Sequence, residues 1–415
     1  MGLDIPLFEV GCMGHCYAEP LVVVANPMMG LPPICYGYVT EGIARRLVRD
    51  YLGEGDPCLE YALAALTTND ILPTFQDFPR GLVEEKLVMS RCGLMDPENI
   101  EHTLALGGYE GLSIGLQLKP EEIISIVQDA GLRGRGGAGF PTGQKWEACG
   151  KAVSSEKYMI CNADEGDPGA FMDRTLLESD PHAVIEGMTL AAYAIGAQEG
   201  YIYVRAEYPL AVQRIAFAIT QARDYGLLGP DILGSGFSFD LHVFQGSGAF
   251  VCGEETALIA SMAGEPGIPG VRPPYPVQKG LWGKPTVIDN VKTLANIPHI
   301  IKNGAPWFHS VGTEKSPGTA VFALAGKVIN TGLVEVPMGT TLRQIIEDAG
   351  SGIAGGKRFK AVQIGGPSGA CLPESMLDTP VDFDSLQQAG GMMGSGGLVV
   401  LDQDDCCLLY TSRCV

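Results

Sequence analysis

The chain has 415 residues, 46% of them apolar, and a formal net charge of −20. That length allows two to four domains with separate cores, and the apolar share excludes a disordered chain. No Lys/Arg run forms a face for nucleic acid, and no apolar stretch reaches the ~18 residues of a membrane span.

The start, MGLDIPLFEVGCMGHC, lacks the basic and apolar regions of a signal peptide. A cytoplasmic protein is expected, so its twelve cysteines read as thiols or metal ligands rather than disulfides. LVVV (residues 21–24) predicts a strand, and TEGIARRLVRDYL (40–52) a helix opened by Thr40. Residues 53–80 are mixed and contain proline, and read as a linker. Residues 81–131 read as helical with short breaks. The last of these helices, PEEIISIVQDAGL (120–132), has apolar spacing at Ile123, Ile124 and Val127, with Glu121 and Glu122 in its first turn.

From 132 to 300 strands and helices alternate, as in an α/β domain. KYMIC (157–161), YIYVRA (201–206) and FDLHVFQG (239–246) are strands. HAVIEGMTLAAYAIGA (182–197), PLAVQRIAFAITQARDYG (209–226, closed by Gly226) and EETALIASMAG are helices. Residues 318–385 predict a small mixed β domain, with one helix in TTLRQIIEDAG opened by Thr340 or Thr341, and a strand and turn in KAVQIGGPSGACL (360–372). No internal repeat is present.

Four segments carry chemistry. In LRGRGGAGFPTGQKW (132–146), Gly134, Gly136, Gly137, Gly139 and Gly143 lie within ten positions, framed by Arg135 and Lys145. Glycines let backbone amides close on phosphate oxygens, and a following helix adds positive potential. The aromatics, the proline and the flanking cations argue against a bare surface loop. Gly134, Gly136 and Gly139 satisfy GxGxxG, but a helix precedes them where the dinucleotide fingerprint needs a strand, so an ordinary Rossmann reading fails its context. In NADEGDPGAF, a strand ends in Asn162, Asp164, Glu165 and Asp167, at the carboxyl end where open α/β sheets bind ligands. The same residues are turn formers. In GSGAFVCGEETALIA, Glu254 and Glu255 open a helix after Gly253, which by itself is a dipole effect. In GKPTVIDNVKTLANIP, Asp289, Asn290 and Thr293 offer polar edges or a helix cap.

Together, GLRGRGGAGFPTGQKW, NADEGDPGAF, CGEETALI and PTVIDNV resemble the FMN- and NADH-binding flavoprotein subunit of respiratory complex I. Its relatives are the diaphorase subunits of NAD(P)-linked and electron-bifurcating hydrogenases and of NAD-dependent formate dehydrogenases. The resemblance runs from residue 1 to about 405. It implies an α/β fold with a Rossmann-like FMN- and NADH-binding domain over 81–312. A partial thioredoxin-like [2Fe-2S] ferredoxin domain would precede it (1–52, then the linker 53–80). A soluble-ligand-binding β-grasp domain (313–388) and the start of a helical iron–sulfur domain (389–415) would follow.

The resemblance also implies roles. Gly134, Arg135 and Gly136 would line the FMN phosphate and ribityl, with Lys145 reaching the flavin. Gly137 and Phe140 would face NADH, Phe140 stacking on adenine. Asn162 and Asp164 would bind FMN, with Glu165 beside it, and Asp167 would lie near the nicotinamide ribose. Gly253, Glu254 and Glu255 would close the pocket, and Asn290 and Thr293 match the family. Phe250 stands where many relatives have Tyr, and Asp289 where Asn is usual. Hydride would pass directly from NADH to FMN with no catalytic side chain, and single electrons would leave through iron–sulfur clusters.

Cys12 and Cys16 resemble the second half of a [2Fe-2S] ligand set, or are two free thiols. His15 between them reads as structural. The chain is expected to be truncated at both ends. Its last nine residues look foreign, and Cys406, Cys407 and Cys414 lack the C-x2-C-x2-C spacing of the family's [4Fe-4S] cluster. Both clusters are therefore expected only in a longer polypeptide.

The ferredoxin-like segment favours the diaphorase subunit of a soluble hydrogenase. Its partners would be a thioredoxin-like ferredoxin subunit and a catalytic iron–sulfur subunit, with no nucleic acid and no membrane insertion. The alternatives are an NADH-binding subunit of a complex I-like quinone oxidoreductase or of a formate dehydrogenase, and a ligand-binding scaffold without electron transfer.

Overall fold

A computed structural model describes residues 5–26 and 29–406. Cys407, Cys414 and the nine residues 407–415 lie outside the described residues. The first unit is a three-stranded antiparallel sheet, β1 (Val22–Val24), β2 (Ile34–Tyr36) and β3 (Ala62–Ala65), with β2 central. The Thr40 hydroxyl accepts from Ile43 N and starts a helix over Glu41–Arg46 that widens into π-type turns over Leu47–Glu54. Leu47 and Tyr51 on that helix pack on Ile34 and Tyr36. β3 falls inside the segment read as a linker, which is corrected here. Its sequence ALAA has no alternation to announce a strand, and pairing with β2 decides it.

Short helices Pro79–Val83, Ile100–Ala105, Glu110–Gly115 and Pro120–Asp129 lead to the central sheet. It contains β4 (Tyr158–Ala163), β5 (Glu199–Arg205), β6 (Asp240–Gly246) and β7 (Thr286–Asn290), all parallel, in the order β6-β5-β4-β7. One face is covered by helices Pro181–Ile195 and Val291–Asn303, which pack directly on one another. Gly187 permits this crossing, because a Cβ there would collide with the Leu294 carbonyl. The other face carries a smaller core built on Ile160, Tyr203, Leu258, Met262 and Ile288. The chain builds outward from β4 through β5 to β6, then returns to place β7 on the opposite side of β4. The crevice between β4 and β7 is thus the topological switch point, where parallel sheets bind ligands beyond the strands' carboxyl ends.

After the two-residue strands β8 (Gly312–Thr313) and β9 (Ser316–Pro317) comes the third unit. Its strands are β10 (Thr319–Gly326), β11 (Gly332–Pro337), β12 (Phe359–Ile364), β13 (Ala370–Pro373) and β14 (Gly397–Asp402), in the order β11-β10-β14-β12-β13. β10 and β14 are parallel and the other pairs antiparallel. A π-type helix Gln344–Ala349 and helix Phe383–Gln388 complete this mixed, β-grasp-like unit. The expected boundary at 388 is corrected: β14 is the middle strand of this sheet and every residue of it is buried. GLVVL reads equally as the opening of a new domain until its pairing with β10 and β12 is known. Among the described residues no helix is long and apolar enough to cross a membrane.

Candidate functional site

The glycine segment is a closed loop at the mouth of the β4/β7 crevice. Gly134 N donates to Phe140 O at 2.9 Å and Thr142 N to Leu132 O at 2.9 Å, so 134–140 bulges from a short antiparallel neck. The helix Pro120–Asp129 precedes it and the helix Thr142–Gly150 follows, the order read from the sequence. Gly136 lies against Asn290 at the end of β7, where a Cβ would stand 3.2 Å from that side chain. Gly137 has φ +129 and rests on the Gly394 backbone at 3.1 Å from a would-be Cβ. The φ at Gly137 thus favours glycine, and at Gly136 a side chain would force Asn290 to give way. The amides of Gly136, Gly137 and Ala138 make no hydrogen bond of good geometry among the described residues. Phe140 and Phe250 are each 54% exposed beside these loops.

The cations of this segment behave differently from the sequence expectation. Arg135 is buried and turned away from the crevice. Its guanidinium donates to Pro317 O (2.6 Å), Thr319 O (3.0 Å) and Arg133 O (2.9 Å). Burial pulls its pKa down to about 9. The Arg135 side chain thus ties the loop to β10, and only its backbone, held by N–H donation to Thr293 Oγ1 at 2.8 Å, belongs to the loop surface. Lys145 points to the end of β7, donating to Ile288 O at 2.6 Å and to Asp289 Oδ1 at 2.8 Å. The other Asp289 oxygen accepts from Trp146 Nε1 at 2.7 Å. Consecutive residues of one helix thus hold the buried Asp289, and its carboxylate is not a free ligand for a ring.

At the end of β4, Asn162 Nδ2 donates to Gly253 O at 2.9 Å, and its Oδ1 accepts from Asp164 N at 3.0 Å, which draws the third segment onto the second. Asp164 is the most telling group. Its side chain is 1% exposed, and Arg205 Nε stands 3.8 Å away, too far to hydrogen-bond. Neither oxygen has a hydrogen-bond partner among the described residues. Burial raises its pKa to about 6 against the pull of Arg205. A buried carboxylate with two bare oxygens is costly unless a ligand donor meets it.

Glu165, three residues beyond Asn162, is buried. It caps the helix Met172–Ser179, accepting from Asp173 N at 3.0 Å and Arg174 N at 3.2 Å, and burial with the neighbouring Asp173 lifts its pKa to about 7. Asp167 is half-buried and accepts from Ser395 Oγ at 2.5 Å. Glu254, expected to close the pocket with Gly253 and Glu255, caps the helix Glu255–Met262 through Thr256 N (2.9 Å) and Ala257 N (3.1 Å). Glu255 pairs with Arg272 at 2.6 Å. Asn290 caps the helix Val291–Asn303, and its Nδ2 donates to Asp173 Oδ2 at 2.6 Å. Asp173 in turn holds the buried Lys292 at 2.6 Å. Asp173, Lys292, Trp146, Arg205 and Ser395 were not singled out from sequence, because their partners lie on distant segments.

Cys12 and Cys16 are brought together with Glu19, one ligand atom from each lying within 4.8 Å of the others. The hydrogen bond with the Cys16 thiol pulls the Cys12 pKa down to about 7, against the opposite pull of burial. Gly14 N donates to Cys12 Sγ at 3.3 Å. His15 is buried and stacked on Phe75 at 4.5 Å, a structural placement. Burial pushes its pKa down to about 2.

Residues 127–299 match the model of the Nuo51 FMN-binding domain family. The NADP-reducing hydrogenase subunit HndC of Solidesulfovibrio fructosivorans is 57% identical over 321 residues, 77% of this chain and 65% of that one. An NADH-quinone oxidoreductase subunit of Rhizobium meliloti is 47% identical over 332 residues, 80% of this chain and 79% of that one. The crystal structure of an NAD+-reducing [NiFe]-hydrogenase in the H2-reduced state is similar over 89% of this chain, with a TM-score of 0.66 and 34% identity. The chain spans 65% of the length of the first of these relatives and 58% of the hydrogenase chain.

Proposed function

This chain belongs to the family of NADH- and FMN-binding flavoprotein subunits, and from that premise we propose that it is the diaphorase subunit of a hydrogenase complex. It binds FMN in the β4/β7 crevice, accepts NADH against the flavin, and passes electrons to iron–sulfur partners. The observation that carries this reading is the pairing of two unmet needs at the switch point. The loop offers unbonded N–H groups at Gly136, Gly137 and Ala138, and Asp164 offers two buried, unbonded carboxylate oxygens. FMN supplies both counterparts, a phosphate for the amides and ribityl hydroxyls for the carboxylate.

When bound, FMN supplies hydride acceptance from nicotinamide and release of electrons one at a time. The chain's own residues bind and orient. The amides of Gly136, Gly137 and Ala138 hold the anionic end. Lys145, fixed by Asp289, adds a cation beneath the loop. Asn162 fastens the Gly253 turn over the crevice. Asp167 accepts from the nicotinamide ribose, and Phe140 and Phe250 supply exposed rings for base stacking. No side chain needs to move a proton.

A cytoplasmic setting and partnership with a thioredoxin-like ferredoxin subunit and a hydrogenase-type iron–sulfur subunit complete the proposal. The 57% identity to a hydrogenase subunit supports it over a quinone-reductase role. The 47% identity across 79% of a quinone oxidoreductase subunit keeps that role as the second reading. The test is flavin content and NADH-dependent dye reduction of protein reconstituted with FMN. Stoichiometric flavin with dye reduction is expected. Protein that retains no flavin and reduces no dye would overturn the reading in favour of a scaffold.

A further inference from the structure

The loop that follows β4 is held from the third unit. Asp167 and Ser395 are 228 residues apart, yet Ser395 Oγ donates to Asp167 Oδ2 at 2.5 Å. Among the described residues this is the only hydrogen bond of the Asp167 side chain, and no cation pairs with it. The other carboxylate oxygen lies against Gly366, where an added Cβ would collide with it. Gly365 and Gly366 are consecutive left-handed residues, φ +86 and φ +69, in the turn between β12 and β13. Gly394 packs on Gly365 with no room for a Cβ, and Gly137 of the flavin loop packs on Gly394. A continuous backbone contact thus runs from the glycine loop through Gly394 and Gly365 to the Asp167 carboxylate.

We propose that Ser395 is a positioning residue for the nicotinamide nucleotide. It fixes Asp167 so that its remaining acceptor sites meet the vicinal hydroxyls of a ribose, and the third unit thereby forms one wall of the nucleotide site. This rests on the reading of the crevice as a flavin–nicotinamide site. A carboxylate has about four lone-pair sites, so one bond from Ser395 orients it and leaves acceptors for a diol. The loop 164–171 contains two glycines and a proline, and no other side chain restrains Asp167 among the described residues. Losing the hydroxyl therefore loosens the carboxylate without touching the flavin loop's own bonds.

The experiment compares Ser395→Ala, Ser395→Thr and Asp167→Asn in FMN-loaded protein, measuring flavin content, NADH-dependent dye reduction and calorimetric NAD+ binding. S395A is expected to raise KM for NADH and Kd for NAD+ about tenfold, the size of one hydrogen bond to a charged group. kcat should stay within about twofold, because the group acts on binding rather than on the hydride step. S395T keeps the hydroxyl and is expected to restore both constants. If D167N weakens NAD+ binding while S395A does not, the positioning role is refuted. Flavin loss in S395A, not rescued by S395T, would refute it as well, by making the contact a fold contact. If wild type retains flavin but D167N leaves NAD+ affinity unchanged, the placement of the nucleotide at Asp167 fails, and the inference with it. A flavin-free wild type overturns the proposed function itself.

Discussion

Replacing Lys145 with Met strands the Asp289 carboxylate, whose side chain is 1% exposed, with Trp146 Nε1 as its one remaining hydrogen-bond donor among the described residues. Removing one partner of a buried pair costs about 3–5 kcal/mol. The Lys145 side chain is itself 20% exposed, which places the expected loss at the lower end, about 3 kcal/mol at pH 8. The double variant K145M/D289N removes the buried charge while its amide oxygen still accepts from Trp146. It should recover at least half of the loss, about 1.5 kcal/mol or more. The assay is urea unfolding at pH 8, followed by tryptophan fluorescence. Trp146 is one of only three tryptophans in the chain and is fully buried. A K145M protein within about 0.5 kcal/mol of wild type at pH 8, or a double variant no more stable than K145M, would refute the reasoning.

Lys145→Glu should abolish FMN retention, because it sets an anion beside both Asp289 and the flavin's anionic end; full flavin absorbance after desalting would refute that placement. Asp164 has a folded pKa near 6, raised by burial above its ordinary 3.8, so the flavin-free protein should lose stability as pH rises through about 6. Asp164→Asn should flatten that dependence in thermal melts while weakening FMN binding. Gly137→Ala forces a side chain onto φ +129 at 3.1 Å from the Gly394 backbone. It should destabilise by about 1–3 kcal/mol and lower flavin affinity, read by denaturation and fluorescence titration.

Much of the architecture is legible in local pattern. The β-rich runs KYMIC and YIYVRA, each followed by a long apolar helix, specify a parallel sheet with helical cover before any contact is known. Thr40 and Gly226 mark helix ends by side-chain and left-handed capping, which depend on neighbours in sequence alone. The glycine run also declares itself, because φ +129 at Gly137 is a conformation side chains rarely adopt, and an added Cβ at Gly139 would collide with Phe383. The composition of the motifs at the ends of β4 and β7 was equally visible. Which of their carboxylates face the crevice was not: Asp164 stays bare, while Glu165, Glu254 and Asp289 are taken up by helix amides, Lys145 and Trp146.

The amino-acid order alone determined the alternation of elements and the glycine cradle, since both follow from φ preferences and periodic apolar burial within a few residues. Only tertiary structure decided the partners of ALAA and GLVVL, the inward turn of Arg135 and the reach of Ser395 across 228 positions to Asp167. Strand pairing and charge neutralisation are set by groups distant in sequence. A strand with no alternation, or a cation with several possible acceptors, carries no local mark of which one it will meet.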